Sequence, residues 1–266
     1  MQTGFAEKKE FRQTFEPHVP RLIRFVNRII HAVQTNAKLG GRMVLLVVDD
    51  LDKPEVDVVL DLFYKKGPIV TQPQCKIVFT VPIALLYSKE FILVKGNFSE
   101  SFSLPNVKIK ERNGGPTEHW ETMSQVVRCR LDPALIDNDA LALAVEMSGG
   151  LVRELVRIMQ GACRKALAAK QNSIASSHVE QAVAAMRTEY NNSLTREEDI
   201  EILRRVRDTG ELRWKKEEPL LRLLHTLFIY SFPNSPGWYG VNPIVLDLIK
   251  PPIKNVPPNT AVTVPE

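Results

Sequence analysis

A chain of 266 residues with 35 lysines and arginines against 31 acids, for a formal net charge of +4, has the composition of an ordinary globular protein. It is long enough to bury a substantial core in two or three small domains, and so mild a charge permits contact with nucleic acid without predicting it. Cys75, Cys129 and Cys163 show no metal-ligand or redox spacing and point to a reducing cytoplasm; no signal-peptide pattern or bilayer-length apolar run is present, so no membrane partner is expected.

Residues 1 to 16 are polar, without clear periodicity, and read as a frayed entry or a remnant of something longer. From Pro20, the apolar positions Leu22, Val26, Ile29, Ile30 and Val33 share one face of a predicted helix that ends at Gly40-Gly41. Residues 43 to 52, Met-Val-Leu-Leu-Val-Val-Asp-Asp-Leu-Asp, follow. The six apolar residues predict a strand buried on both faces, as in parallel sheets covered by helices. Ligands of such sheets bind beyond the carboxyl ends of the strands, where Asp49 and Asp50 fall.

Asp52-Lys53-Pro54-Glu55 reads as a capped helix start, which gives Asp52 a structural role. Val56, Val59, Leu60 and Phe63 then mark one helical face, closed at Gly67-Pro68. Cys75 to Val81 is a second buried strand ended by Pro82, and a third short strand is expected near Leu104 to Ile109. Asn113-Gly114-Gly115-Pro116 is a loop by its turn chemistry. A helix from about Thr117 carries Trp120, Met123 and Val127 inward.

From Leu131 to Met186 the pattern is helical throughout. One helix opens at Pro133, runs through Leu141 and Val145 and stops at Ser148-Gly149-Gly150. The next, Leu151 to Ala169, puts Leu155, Ile158, Met159 and Ala162 on one face. Ser177-His178-Val179-Glu180 reads as a capping box for a third, through Val183 and Met186. Beyond it lie a basic amphipathic helix with Ile200, Leu203 and Val206 inward, the apolar run Leu220 to Tyr230, a turn at Pro233 to Gly237, the aromatic strand Trp238 to Val241 and a Pro243 to Ile249 helix. Residues 251 to 266 are rich in proline and are expected to be disordered.

The Asp49-Asp50 strand end resembles the Walker B element of P-loop ATPases. The resemblance implies that Asp49 holds Mg²⁺ and that Asp50 faces the attacking water as the catalytic acid-base group. It places Thr80 at the sensor 1 position near the terminal phosphate, although a β-branched residue there also simply fills a strand. The run Ser148-Gly149-Gly150-Leu151-Val152-Arg153-Glu154-Leu155, with Ile174 to Ala182, resembles the small helical lid of AAA+ and STAND-type ATPases, closest to the origin-recognition and KAP-like branches. There Arg153 matches sensor 2, a guanidinium that forks onto nucleotide phosphates; the alternative is a solvated helix arginine. Helices leading into an aromatic hairpin resemble a winged-helix domain. Arg204, Arg205, Arg207, Arg213, Lys215 and Lys216 could then touch DNA backbone, or form a solvated face diluted by Glu211, Glu217 and Glu218.

The expected fold class is therefore α/β followed by all-α. A partial parallel P-loop core spans residues 1–116, a helical lid 117–190, a winged-helix-like domain 191–250 and a tail 251–266. ATP and Mg²⁺ are the implied cofactors, and a homo-oligomer or signalling complex the implied assembly. The sequence departs from the resemblance in two ways. No Gly-x-x-x-x-Gly-Lys-Ser/Thr occurs in the 266 residues, so the Walker A phosphate cradle is lacking, and Pro82 stands where STAND relatives often place arginine. Three readings follow: the carboxyl-terminal portion of a longer ATP-driven switch, a non-catalytic pseudo-ATPase interaction module, or a winged-helix DNA-binding adaptor. The five histidines show no ligand spacing and no Gly-x-Ser-x-Gly turn is present, which argues against a hydrolase or metal enzyme built on histidine and cysteine.

Overall fold

The computed structural model describes residues 18–39, 42–112, 114–115, 117–232 and 237–250. The proline-rich tail, most of the Pro233 to Gly237 turn and the Gly40-Gly41 stop lie outside the described residues. The chain divides into two compact units, residues 1–103 and 104–266.

The first unit opens with helix α1, Val19–Gln34, which Pro20 favours in its first turn. Strand β1, Leu45–Val48, pairs in parallel with β2, Lys76–Phe79, in the register Leu45 to Lys76 through Val48 to Phe79. Between them run α2, Val56–Leu60, its continuation as a π-helical turn over Asp61–Lys65, and the short α3, Gly67–Val70. After β2 come α4, Ile83–Leu86, and α5, Phe91–Lys95. The core of this unit is Val59, Phe63, Leu85 and Val94, joined by an aromatic cluster of Phe63, Phe79 and Phe98 with ring centroids 5.3 to 5.9 Å apart, Phe79 meeting the other two edge-on.

The strand expected to be buried on both faces is not. Side chains alternate across the sheet, so Leu45, Val47 and Val78 share one face and Leu46, Val48, Ile77 and Phe79 the other. The first face is open, with Leu45 61% and Val47 59% exposed; on the second, Leu46 remains exposed while Val48, Ile77 and Phe79 are half-buried. The valine-rich pattern reported the need for cover, which the described residues do not supply. The helix after β1 also starts later than expected, at Val56 with Glu55 as its N-cap, so Asp52 lies in the turn before it.

The second unit is built on α6, Trp120–Arg128, α7, Asn138–Ser148, α8, Val152–Ala168, and α9, Ser176–Ser193. Met123, Val127, Leu141, Val145, Leu155, Ile158, Ala162, Val179 and Val183 form one continuous core, which Ile244 also enters. The face predicted for α8 is the buried one. No strand forms at Leu104–Ile109. That stretch is extended, with the Val107 amide bonded to the Gly150 carbonyl at 3.1 Å and Ile109 buried. Gly150, at φ +87°, has no room for a side chain, because a Cβ would stand 1.7 Å from the Val107 oxygen.

The single helix expected from Pro133 is broken in two. A 3₁₀ turn, Pro133–Leu135, is capped by Asp132, and Ile136 then becomes extended and bridges Ile174 before α7 begins. The capping arrangement of α9 sits two residues earlier than predicted, and a ring replaces the carboxylate: the Ala175 amide donates to His178 Nδ1 at 3.1 Å.

Helix α10, Glu197–Thr209, and α11, Glu217–His225, lead into an antiparallel hairpin of β3, Ile229–Phe232, and β4, Trp238–Val241, followed by a 3₁₀ segment, Pro243–Ile249. Ile202, Leu203 and Val206 face inward, whereas Ile200 is half-buried. The fully buried Asp199 accepts both terminal nitrogens of Arg222, at 2.6 and 3.0 Å, which ties α10 to α11. No helix among the described residues is long and apolar enough to cross a membrane. The three cysteines are free thiols.

Candidate functional site

Because β1 and β2 run in parallel and in register, their carboxyl ends lie side by side, and the residues that follow them meet. The Thr80 amide continues the ladder onto the Val48 carbonyl at 3.1 Å. This sets the Thr80 hydroxyl to donate to Asp49 Oδ1 at 2.8 Å, and the Asp50 amide donates to the same oxygen at 2.8 Å. Two residues 31 apart in sequence thus share one hydrogen bond. The Thr80 hydroxyl first, then the Asp50 amide and, against a small opposing desolvation, the Lys53 charge, hold the Asp49 carboxyl below its ordinary value. Asp49 therefore stays an anion with one oxygen fixed.

Asp50 adopts a left-handed backbone, φ +67°, a conformation that aspartate tolerates better than most residues. Its carboxylate pairs with Lys53 Nζ at 2.7 Å, and the Lys53 amide closes the turn on the Asp50 carbonyl at 3.3 Å. This turn also brings round Asp52. One carboxylate oxygen each from Asp49, Asp50 and Asp52 lies within 4.8 Å of the others. Such an all-oxygen donor set fits a hard divalent cation such as Mg²⁺. Asp52 is the member that a reading of the helix start misses. Its signal is its spacing, since an acid three residues after Asp49 returns to the same spot once the intervening residues form a turn.

Arg153 is the second residue of α8 in the other unit and is exposed. It lines a cavity of about 270 Å³ together with Glu154, Arg157, Tyr190, His225 and Leu227. A larger cavity of about 560 Å³ is lined by Arg112, Tyr230, Trp238 and Pro243 among others. The basic residues of α10 and its surroundings are partly engaged within the fold. Arg204 donates to the Ile249 carbonyl at 2.8 Å, Arg207 pairs with Asp208 at 2.7 Å, and Lys216 lies 3.5 Å from Glu198, while Arg205 and Lys215 are exposed.

No family model matches the chain, and no curated protein does. Solved structures similar to it include the Thermotoga maritima RuvB Holliday junction branch migration motor, at 15% identity over 74% of this chain and 66% of that one, with a TM-score of 0.36. A single-residue variant of T. maritima RuvB gives 15% identity over 82% and 71%, with a TM-score of 0.38. The Aeropyrum pernix ORC2 protein, solved as ADPNP-ADP complexes, gives 16% identity over 83% and 68%, with a TM-score of 0.40. The chain spans 66% of the length of the first of these. Likeness at this level leaves the functional reading to rest on the residues of the chain itself.

Proposed function

We propose that this chain carries the metal side of an ATP-dependent switch of the AAA+ or STAND type. The observation that supports the reading is the Thr80 to Asp49 hydrogen bond at the adjoining carboxyl ends of two parallel strands, beside the Asp50 and Asp52 carboxylates. Mg²⁺, when bound, offsets the negative charge of the nucleotide phosphates. Asp49, held ionised, and Asp52 would supply oxygens to the ion or to its water shell. Thr80 would fix the orientation of Asp49, and Asp50 would accept a proton from the attacking water once it turns away from Lys53. Arg153 would read the terminal phosphate. The phosphate cradle, which these 266 residues lack as a sequence pattern, would come from outside them.

The test uses the protein isolated from its native cell with whatever segments or subunits accompany it. Asp50→Asn should abolish ATP turnover while leaving nucleotide affinity within about twofold, because a group acting only in the chemical step contributes little to ground-state binding. Unchanged turnover would remove Asp50 from the mechanism and the switch reading with it.

A further inference from the structure

The first turn of α8 carries a second, buried feature next to Arg153. Glu154 is 1% exposed and ionically paired: Arg157 Nη1 lies 3.1 Å from its Oε1, and the Tyr190 hydroxyl donates to its Oε2 at 3.3 Å. Arg157 also reaches Glu189 on α9 at 2.7 Å. The Tyr190 ring in turn packs edge-to-face on Phe228, centroids 5.1 Å apart, directly before β3. The fully buried Asn242, at the end of the hairpin, donates to the Leu227 carbonyl at 3.1 Å. A short chain of contacts therefore runs from the α8 carboxylate through Tyr190 to both ends of the β3–β4 hairpin.

The receiving end of that chain is under strain. Leu227 sits at φ +60°, a left-handed conformation that brings the Cβ of an L-residue too close to its own backbone. Two buried polar atoms beside it, His225 Nδ1 and the Tyr230 hydroxyl, have no hydrogen-bond partner, although buried polar groups are nearly always satisfied. The cavity of about 270 Å³ bordered by His225, Leu227 and Glu154 leaves room for rearrangement. Strained backbone, unmade hydrogen bonds and adjacent space are what an element with a second arrangement requires.

We propose that Glu154 is a latch: its contact with Tyr190 holds residues 225–230 in the strained form, and its release lets that segment and the hairpin relax into a second arrangement. Glu154 follows Arg153 directly, so a pull on the first turn of α8 would open the latch. The latch rests on this geometry alone; only the identity of what pulls on Arg153 rests on the proposed nucleotide reading.

Hydrogen exchange of the full chain tests it. Glu154→Gln and Tyr190→Phe should each speed exchange of the β3 and β4 amides by roughly tenfold or more while the central amides of α7 and α9 change by less than about twofold, the signature of local rather than global opening. Arg164→Ala, on an exposed position of the same helix, should change neither. Unaltered hairpin exchange in both variants would overturn the latch, and so would an equal rise in α7, α9 and the hairpin, which would make Glu154 only a stabiliser. If Glu154→Gln does not fold, Tyr190→Phe decides, since it keeps the ring on Phe228 and removes only the hydroxyl. Inorganic tripolyphosphate, added to wild type and to Arg153→Ala, separates the two claims. Hairpin exchange that responds in wild type alone supports Arg153 as the trigger; no response, with the variants behaving as above, counts against the nucleotide reading and leaves the latch standing.

Discussion

The two units treat the same kind of sequence differently. In residues 104–266 the apolar stripe of every long helix is covered from within the unit: Leu155, Ile158, Leu203 and Leu223 are all fully buried. In residues 1–103, Leu22, Phe25 and Ile29 of α1 and Leu45 and Val47 of β1 form equally regular patterns and stay exposed. Periodicity therefore encodes which face needs cover and not where the cover comes from. A two-stranded parallel sheet open on one face is also the opposite of the usual arrangement, in which parallel strands are covered on both sides. The polar residues at the carboxyl ends of those strands are nevertheless arranged in detail, which separates the site at Asp49 from the incomplete packing around it.

Matched truncations sharpen that contrast most strongly. Leu155→Ala should destabilise the second unit by about 3 kcal/mol, the loss typical of a leucine in a closed core. Urea unfolding followed by tryptophan fluorescence reads it cleanly, because Trp120, Trp214 and Trp238 all belong to that unit. Leu45→Ala should change the exchange of the β1 and β2 amides by no more than about 0.5 kcal/mol, as at an exposed position. A loss at Leu45 as large as that at Leu155 would break the comparison and mean that β1 is covered in solution.

A smaller effect is expected from alkaline pH in the second unit. Burial first, and the Glu154 charge second, push the Tyr190 hydroxyl above its ordinary value; burial does the same to Tyr230. A folded-state pKa raised above the unfolded one gives a contribution that is intact below an unfolded pKa of about 10 and is lost as pH rises toward the folded value. Stability should fall by about 2 kcal/mol over the first pH unit above pH 10, and Tyr190→Phe should remove roughly half of that loss. A flat profile to about pH 11 would contradict the buried placement of both hydroxyls.

Much of the architecture was legible where local pattern and final environment agree. The β1 and β2 segments, the inward faces of α6 and α8 and the stop at Gly149-Gly150 all follow from short-range spacing. What was not legible depended on partners distant in sequence. Ile136 leaves the helical pattern because Ile174 offers a bridge, and the segment before Ile109 is extended without a strand partner because it packs against the Gly150 turn. At the site, Asp49 and Thr80 could be proposed separately. Their hydrogen bond required the parallel register, and Asp52 required the left-handed turn at Asp50. The open face of β1 was illegible for a different reason: an exposed valine and a buried one look alike in a sequence.

The most direct measurement of the central claim is paramagnetic broadening of backbone amide signals by Mn²⁺, a stand-in for Mg²⁺ that prefers the same oxygen donors. Sub-stoichiometric Mn²⁺ should selectively broaden the amides of Asp49, Asp50, Asp52 and Thr80, Mg²⁺ should reverse the effect in competition, and Asp49→Asn should abolish it. Broadening spread evenly over the exposed acids of the chain, or unchanged in Asp49→Asn, would contradict a divalent-cation site at the ends of β1 and β2.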